Sequence, residues 1–341
     1  MVVAGALGEG LVRLVKPGFH GFRIPQIVHR TVPGLGFEMI PNQTGYTLAS
    51  HVRVNSLGFR GPELRTPRGT PRMFCVGDSM TFGVGVEDED TFCSRLERQM
   101  ASDWPQATPE AINMGVQRYY TFQEIDLLRL HAPTLRPEIV IMAVFLNDLG
   151  VRPSSDYTRE YEKERERAAT ALRNVAPQLY LLIKNSALIV LLRDNYLAWG
   201  SRETSARHAL QGIVTERDER DWRGVEQELS NLKELSDEYD FHSVVVFIPA
   251  RSQVQNDLPK SVYPRRLIEH VQGLGMVTLN PLDAFRAHSR SGDDPYLAWN
   301  GHMSPTGHRI VAEMISTHLR QNRPDALRIA AGPLREGVAG R

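Results

Sequence analysis

The stretch RMFCVGDSMTFG, residues 72–83, decides the fold. Its first half is a short apolar run closed by Gly77, as in a buried strand, and its second half turns toward a helix. A serine at such a junction, here Ser79, points out of the sheet edge, with the first backbone N–H groups of the helix beside it. Taken alone, the tripeptide GDS is a weak signal, so its weight comes from the elements that follow.

Four more apolar runs succeed the one at 73–76, at 111–114, 139–145, 244–248 and 276–279. Segments of helical period separate them. In 91–100, Phe92, Leu96 and Met100 share one face, and 122–130 is a second such segment. Ser304 and Pro305 announce a last helix, with Ile310, Val311, Met314 and Ile315 facing inward. Strands alternating with helices predict an α/β domain over 72–325: a three-layer α/β/α sandwich on a five-stranded parallel sheet of flavodoxin-like type.

Residues 1–71 are rich in Pro and Gly and lack a long period, which predicts an extended arm packed on the core. Residues 151–218, between the third and fourth strands, read as a helical insertion. The charged run 159–167 predicts a solvated face, and the apolar run 179–192, interrupted by Lys184 and Asn185, predicts burial. Lining an acyl groove and docking a partner are the alternatives for that run. An insertion after the third strand leaves the carboxyl end of the sheet, where open α/β folds hold their sites, so it is a candidate lid. Residues 326–341 read as a C-terminal tail.

Composition narrows the classes. The chain has 341 residues, 41% of them hydrophobic, and a formal net charge of zero. That is enough to bury an enzyme-sized core and gives no general attraction to nucleic acid or anionic membrane. Cys75 and Cys93 both sit among apolar residues and read as separate core residues. His131, His242 and His270 show no ligand spacing, so neither a metal nor another cofactor is expected. The N-terminal MVVAGALGEGLVRLV carries Glu9 and Arg13 and has no basic start, which argues against a secretory signal or a spanning helix. A cytoplasmic location is expected, with a degenerate N-terminal anchor as the open alternative and membrane contact as the weaker expectation.

The order of motifs around Ser79 resembles the SGNH (GDSL-like) hydrolase family. FLND at 145–148 looks like its third block, with Asn147 as the oxyanion asparagine, and WNGHMSPTGH at 299–308 looks like its fifth, with His302 as the base. VRVNSLGFRG at 52–61 is similar to a lead-in of some bacterial members, so the likeness covers roughly 52–320, the insertion apart. The resemblance implies acyl transfer through Ser79, with Ser79, Asn147 and a third backbone N–H as oxyanion donors. In NMGVQRYYT at 113–121 the oxyanion glycine of the family is replaced by Arg118, with Gly115 as a less favoured offset. Arg118 could instead bind an anionic group of the substrate. The acid two or three residues before the histidine is replaced by Asn300 and Trp299, which leaves Asp294, Asp293 or a backbone carbonyl to orient the ring. Asp78 and Asn113 read as supporting residues, Trp299 as rim packing and His308 as part of the last helix.

The chemistry stands without the family, because a serine hydroxyl needs a base within hydrogen-bond reach and histidine suits that role near neutral pH. The expected substrate is a small ester or an acylated sugar, lipid or natural product. The rivals are an acyltransferase using the same serine and a catalytically silent binding protein.

Overall fold

The computed structural model describes residues 2–16, 19, 21–65, 70–105, 109–149, 152, 176–192 and 205–322. The chain enters through a helix, α1 (Val2–Val15), and two antiparallel hairpins, β1 (His29–Val32) with β2 (Gly36–Met39) and β3 (Thr44–Thr47) with β4 (Ser50–Arg53). An extended arm was expected here. Four-residue strands are too short for an alternation to stand out from the sequence, and the glycines at 5, 8 and 10 lie inside α1 and do not break it. Phe37, Met39, Val52 and Phe59 from this region are buried in the same cluster as the sheet.

The run at 72–83 becomes β5 (Arg72–Gly77), buried along its whole length, and a single turn of helix, α2 (Ser79–Phe82). There follow α3 (Phe92–Asp103), β6 (Glu110–Asn113), α4 (Thr121–Leu135) and β7 (Ile139–Val144). The described part of the insertion holds α5 (Pro177–Asn185) and α6 (Ser205–Gln211). Beyond come α7 (Glu216–Tyr239), β8 (His242–Phe247), α8 (Arg251–Gln255), α9 (Arg265–Gly273), β9 (Val277–Leu279), α10 (Leu282–Arg290) and α11 (Pro305–Asn322).

The five sheet strands pair in parallel in the order β6-β5-β7-β8-β9. This is the flavodoxin-like order, and the connections leave β5 in opposite directions at the β5/β7 boundary, where such sheets open a crevice. Alternate residues feed two cores. Phe74, Val76, Val140, Met142, Val245 and Phe247 pack with α4, α7 and α9 on one face, whereas Met73, Cys75, Ile139, Ile141, Val244 and Val246 pack with α3, α10 and α11 on the other. The two faces make the three layers.

Two sequence expectations change. Cys75 on β5 and Cys93 on α3 form a disulfide, their Cα atoms 6.0 Å apart, because α3 lies directly on the β5 face that carries Cys75. The apolar run at 179–192 is for the most part half-buried, with Leu179, Leu182, Ile189 and Leu192 exposed and only Ala187 and Val190 buried. The segment is held by Glu9 and Arg13 of α1 and by Phe22, whose backbone is bonded to the Asn185 side chain. The charged run 159–167 and the tail 326–341 lie outside the described residues.

Candidate active site

Ser79 stands at the carboxyl end of β5 because the chain has to turn there at once. A Cβ on Gly77 would lie 2.2 Å from Thr81 Oγ1 and 2.8 Å from the Ala143 carbonyl, so only glycine lets the strand end this close to α2 and β7. The Asp78 carboxylate caps the turn by accepting the Met80 N–H at 2.8 Å. The Ser79 N–H, first in the helix, has no place in the intrahelical ladder and is available to a ligand.

His302 arrives from the loop before α11, and its Nε2 lies 2.9 Å from Ser79 Oγ. Across the ring, Nδ1 is hydrogen-bonded to Asn300 Oδ1, which also accepts the backbone N–H of His302 at 3.2 Å. An oxygen that already faces a backbone N–H fixes the amide orientation, so Nδ1 carries the proton and Nε2 presents a lone pair to Ser79. The sequence left the orienting group open among Asn300, Asp294, Asp293 and a backbone carbonyl. Asn300 is the one that faces Nδ1.

Asp294 is therefore a correction. Its carboxylate accepts from Arg251 at 2.6 Å and from the Tyr296 N–H at 3.0 Å, and its carbonyl accepts the Ser304 hydroxyl at 2.7 Å. It shapes the loop that delivers His302 and does not orient the ring. Asp293 is engaged by Thr306 and Arg309.

Asn147 follows β7, and its Nδ2 donates to Asp78 Oδ2 at 2.9 Å. Asp78 thus fixes the asparagine and leaves the second amide hydrogen for a ligand. The Ser79 hydroxyl also lies 3.1 Å from Asp78 Oδ2, so its single proton has two acceptors, this carboxylate and His302 Nε2. Burial pushes the His302 pKa below its ordinary 6.5 against the opposing pull of the Asp78 charge. The ring is accordingly a neutral base at neutral pH.

The loop after β6 closes the third side. Gly115 fits because a Cβ there would come within 2.2 Å of the Phe82 nitrogen, and its own N–H is taken by Asn113 Oδ1 at 3.0 Å. Gly115 is therefore unsuited to be the offset oxyanion donor. Arg118 holds the left-handed conformation, φ +72°, a backbone shape that favours glycine. An arginine in this conformation is held at some strain, and its side chain is exposed. Burial and the Arg118 charge together bring the His29 pKa down to about 4. Asn113 is a supporting residue, as its Nδ2 donates to the Thr81 carbonyl at 3.0 Å and ties β6 to α2.

Sequence reasoning missed a clamp. Arg60, buried, donates to the carbonyls of Phe82, Gly83 and Val86 at 2.6–2.7 Å and pairs with Asp88 at 2.8 Å, gripping the end of α2. Asn55 shapes the preceding turn by accepting the N–H groups of Leu57 and Phe59. The available signal was the 52–61 motif itself. His308 takes no part in the site: its Nδ1 accepts the Phe92 N–H at 3.1 Å, and burial brings its pKa down to about 3.

Above the loop lies a cavity of about 110 Å³ lined by Phe19, Phe22, Leu48, Val190, Trp299 and Asn300, among others. Trp299 is held by the Lys16 carbonyl, which accepts its Nε1–H at 3.2 Å, and by the edge of Phe19. No group of three or more His, Cys, Asp or Glu residues suited to a metal occurs among the described residues.

No protein-family model matches the chain, and no curated protein does. Solved structures similar to it include a lipase/acylhydrolase from Enterococcus faecalis, 13% identical over 74% of this chain and 96% of that one, TM-score 0.41. An acetyl xylan esterase, AlAXEase, is 12% identical over 73% and 99%, TM-score 0.43. The psychrotrophic esterase EstA from Pseudoalteromonas sp. is 11% identical over 73% and 97%, TM-score 0.42. At such scores the case for function rests on the site itself.

Proposed function

We propose that the chain is a serine-dependent ester hydrolase working through a Ser79 acyl-enzyme. The observation that carries this reading is the continuous line Asn300 Oδ1, His302 Nδ1, His302 Nε2, Ser79 Oγ, whose last contact is 2.9 Å. It is the arrangement a weak nucleophile needs: a base in reach, with its tautomer set from behind.

His302 Nε2 removes the hydroxyl proton as Ser79 Oγ attacks the ester carbonyl, and the carbonyl oxygen becomes an oxyanion. The Ser79 N–H, the second Asn147 amide hydrogen and the Arg118 N–H are the donors proposed for it. Collapse expels the alcohol, which leaves with the proton from His302. Water then repeats the sequence: His302 takes its proton, the hydroxide portion adds to the acyl carbon, and the acid departs as the proton returns to Ser79. Asn300 stabilises the imidazolium with an amide dipole rather than a full charge, so turnover is expected to be lower than with a carboxylate.

The cavity beside Asn300 favours one variant of this reading. Its largely apolar walls, with Lys184 among them, could hold an alcohol acceptor beside the group behind His302, where it would compete with water for the acyl group as in an acyltransferase. Rate dependence on added alcohol separates the two.

The decisive experiment is intact-protein mass after treatment with a fluorophosphonate, which captures an activated serine without knowledge of the substrate. One adduct per chain is expected, absent from Ser79→Ala and strongly slowed in His302→Ala. Failure of the unsubstituted chain to label would overturn the reading.

A further inference from the structure

Helix α1 and the 176–192 segment form a unit held together at its inner side. The Glu9 carboxylate accepts the N–H groups of Ala187 and Leu188 at 2.9 and 3.0 Å and the Ser186 hydroxyl at 2.8 Å. Arg13 donates to the Asn185 carbonyl at 2.7 Å. Burial raises the Glu9 pKa, but these donors outweigh it and bring the value down to about 2, so this acid remains a locked anion.

The outer side is apolar and open. Leu7, Leu11, Leu14 and Val15 recur at the spacing of one helix face, and they are 61–80% exposed. On the 176–192 segment of the same unit Leu179, Leu182, Ile189 and Leu192 are exposed as well, Leu182 at 68% and Leu192 at 61%. Single exposed leucines are ordinary in folded proteins, but this many on one small unit mark a surface that binds something.

The surrounding charge says what that something is. Arg13, Lys16 and Lys184 belong to the unit, and among its described residues Glu9 is the only carboxylate. Glu9 and Arg13 pair with each other at 2.7 Å, which leaves Lys16, over the Trp299 ring, and Lys184, over the Phe22 and Tyr180 rings, as the excess charge. The described part of the unit is therefore apolar with an excess of basic residues. A second copy of the chain would bring like charges together, whereas anionic lipid headgroups complement them. No described helix is long and apolar enough to cross a membrane.

We infer that the leucine face of α1 and α5 docks in the plane of an anionic lipid bilayer. The same unit reaches the His302 loop, since Lys16 and Phe19 hold Trp299. Docking would bring the mouth of the site to the lipid surface.

The test is cosedimentation of the full chain with vesicles of phosphatidylcholine alone and of phosphatidylcholine with phosphatidylglycerol. The chain should pellet with the anionic vesicles and be released by salt. Leu7→Ser/Leu11→Ser/Leu14→Ser should weaken that binding by more than roughly tenfold, since each leucine withdraws buried apolar surface. Lys16→Glu/Lys184→Glu, which leaves the leucines in place, should weaken it as well and guards against misfolding of the first variant. Ser79→Ala should bind like the unsubstituted chain, which keeps this result separate from the fate of the hydrolase proposal. A chain that stays in the supernatant with both lipids overturns the inference. So does binding indifferent to both sets of substitutions, or a dimer dispersed by the leucine substitutions without vesicle binding.

Discussion

The two sides of Asp78 are built in opposite ways. Toward the site, its carboxylate accepts the Met80 N–H, the Asn147 amide and the Ser79 hydroxyl, all at 2.8–3.1 Å. Toward the core lie Glu124 at the start of α4 and Asp148 after β7, both fully buried. Neither Glu124 oxygen has a hydrogen-bond partner, nor does Asp148 Oδ1. Burial first, and then the negative charge of Asp78, joined for Asp148 by that of Glu124, push both of these acids well above the ordinary carboxylate range and favour their protonated forms. Charge is kept where donors surround it and suppressed where they do not. In this way the Asp78 charge acts on Asn147 and His302 without two rival anions behind it.

Substitutions on the two sides should separate into activity effects and stability effects. The largest is Ser79→Ala, expected to lower turnover by on the order of 10⁴- to 10⁶-fold on any ester the enzyme accepts while leaving the melting temperature nearly unchanged. A residual rate within tenfold of the unsubstituted enzyme would break the paired side as a catalytic unit. Next comes Asn147→Ala, where a fall of about 100- to 1000-fold in kcat with little change in KM would mark a donor used mainly in the transition state. A change confined to KM would make Asn147 a substrate-binding residue instead.

Asn300→Asp sharpens the comparison by adding charge to a dipole. The acid limb of kcat/KM reports protonation of free His302 and should lie below pH 6.5 in the native enzyme, because burial lowers that pKa. A carboxylate on Nδ1 favours the imidazolium, so the limb should move up by about one unit or more and the plateau turnover should rise. A limb that stays in place would show that another group orients the ring.

The smallest effect is expected from the core side. Folded Glu124 keeps a proton that the unfolded chain releases above about pH 4.5, so folding takes up a proton and stability falls as pH rises from that value toward the folded pKa. Glu124→Gln removes this contribution. The variant should melt about 2–4 °C higher than the native chain at pH 8, with a smaller difference at pH 5 and unchanged turnover at neutral pH. Equal shifts at both pH values would mean that Glu124 is not held neutral by burial.

The helical insertion shows where a sequence reading fails. Its apolar run was expected to be buried, because hydrophobicity reports a preference for leaving water without naming a partner. The structure leaves Leu182 and Leu192 outside, since the inner side of these short helices is satisfied by Glu9 and Arg13 of a segment some 170 residues earlier. The disulfide was missed for a similar reason. Eighteen positions separate Cys75 from Cys93, and only the packing of α3 on β5 brings them together.

What the sequence by itself determined is whatever local pattern encodes: the five strands, the turn that exposes Ser79, and the cap that starts the last helix. These depend on periodicity, on glycine where a Cβ cannot fit, and on caps a few residues away. The identity of the group behind His302 was beyond it, because Asn300, Asp293 and Asp294 were all near enough in the chain to serve. Tertiary structure made the choice. Arg251, at the start of α8, claims Asp294, Thr306 and Arg309 of the last helix claim Asp293, and Asn300 is left as the acceptor that faces the ring.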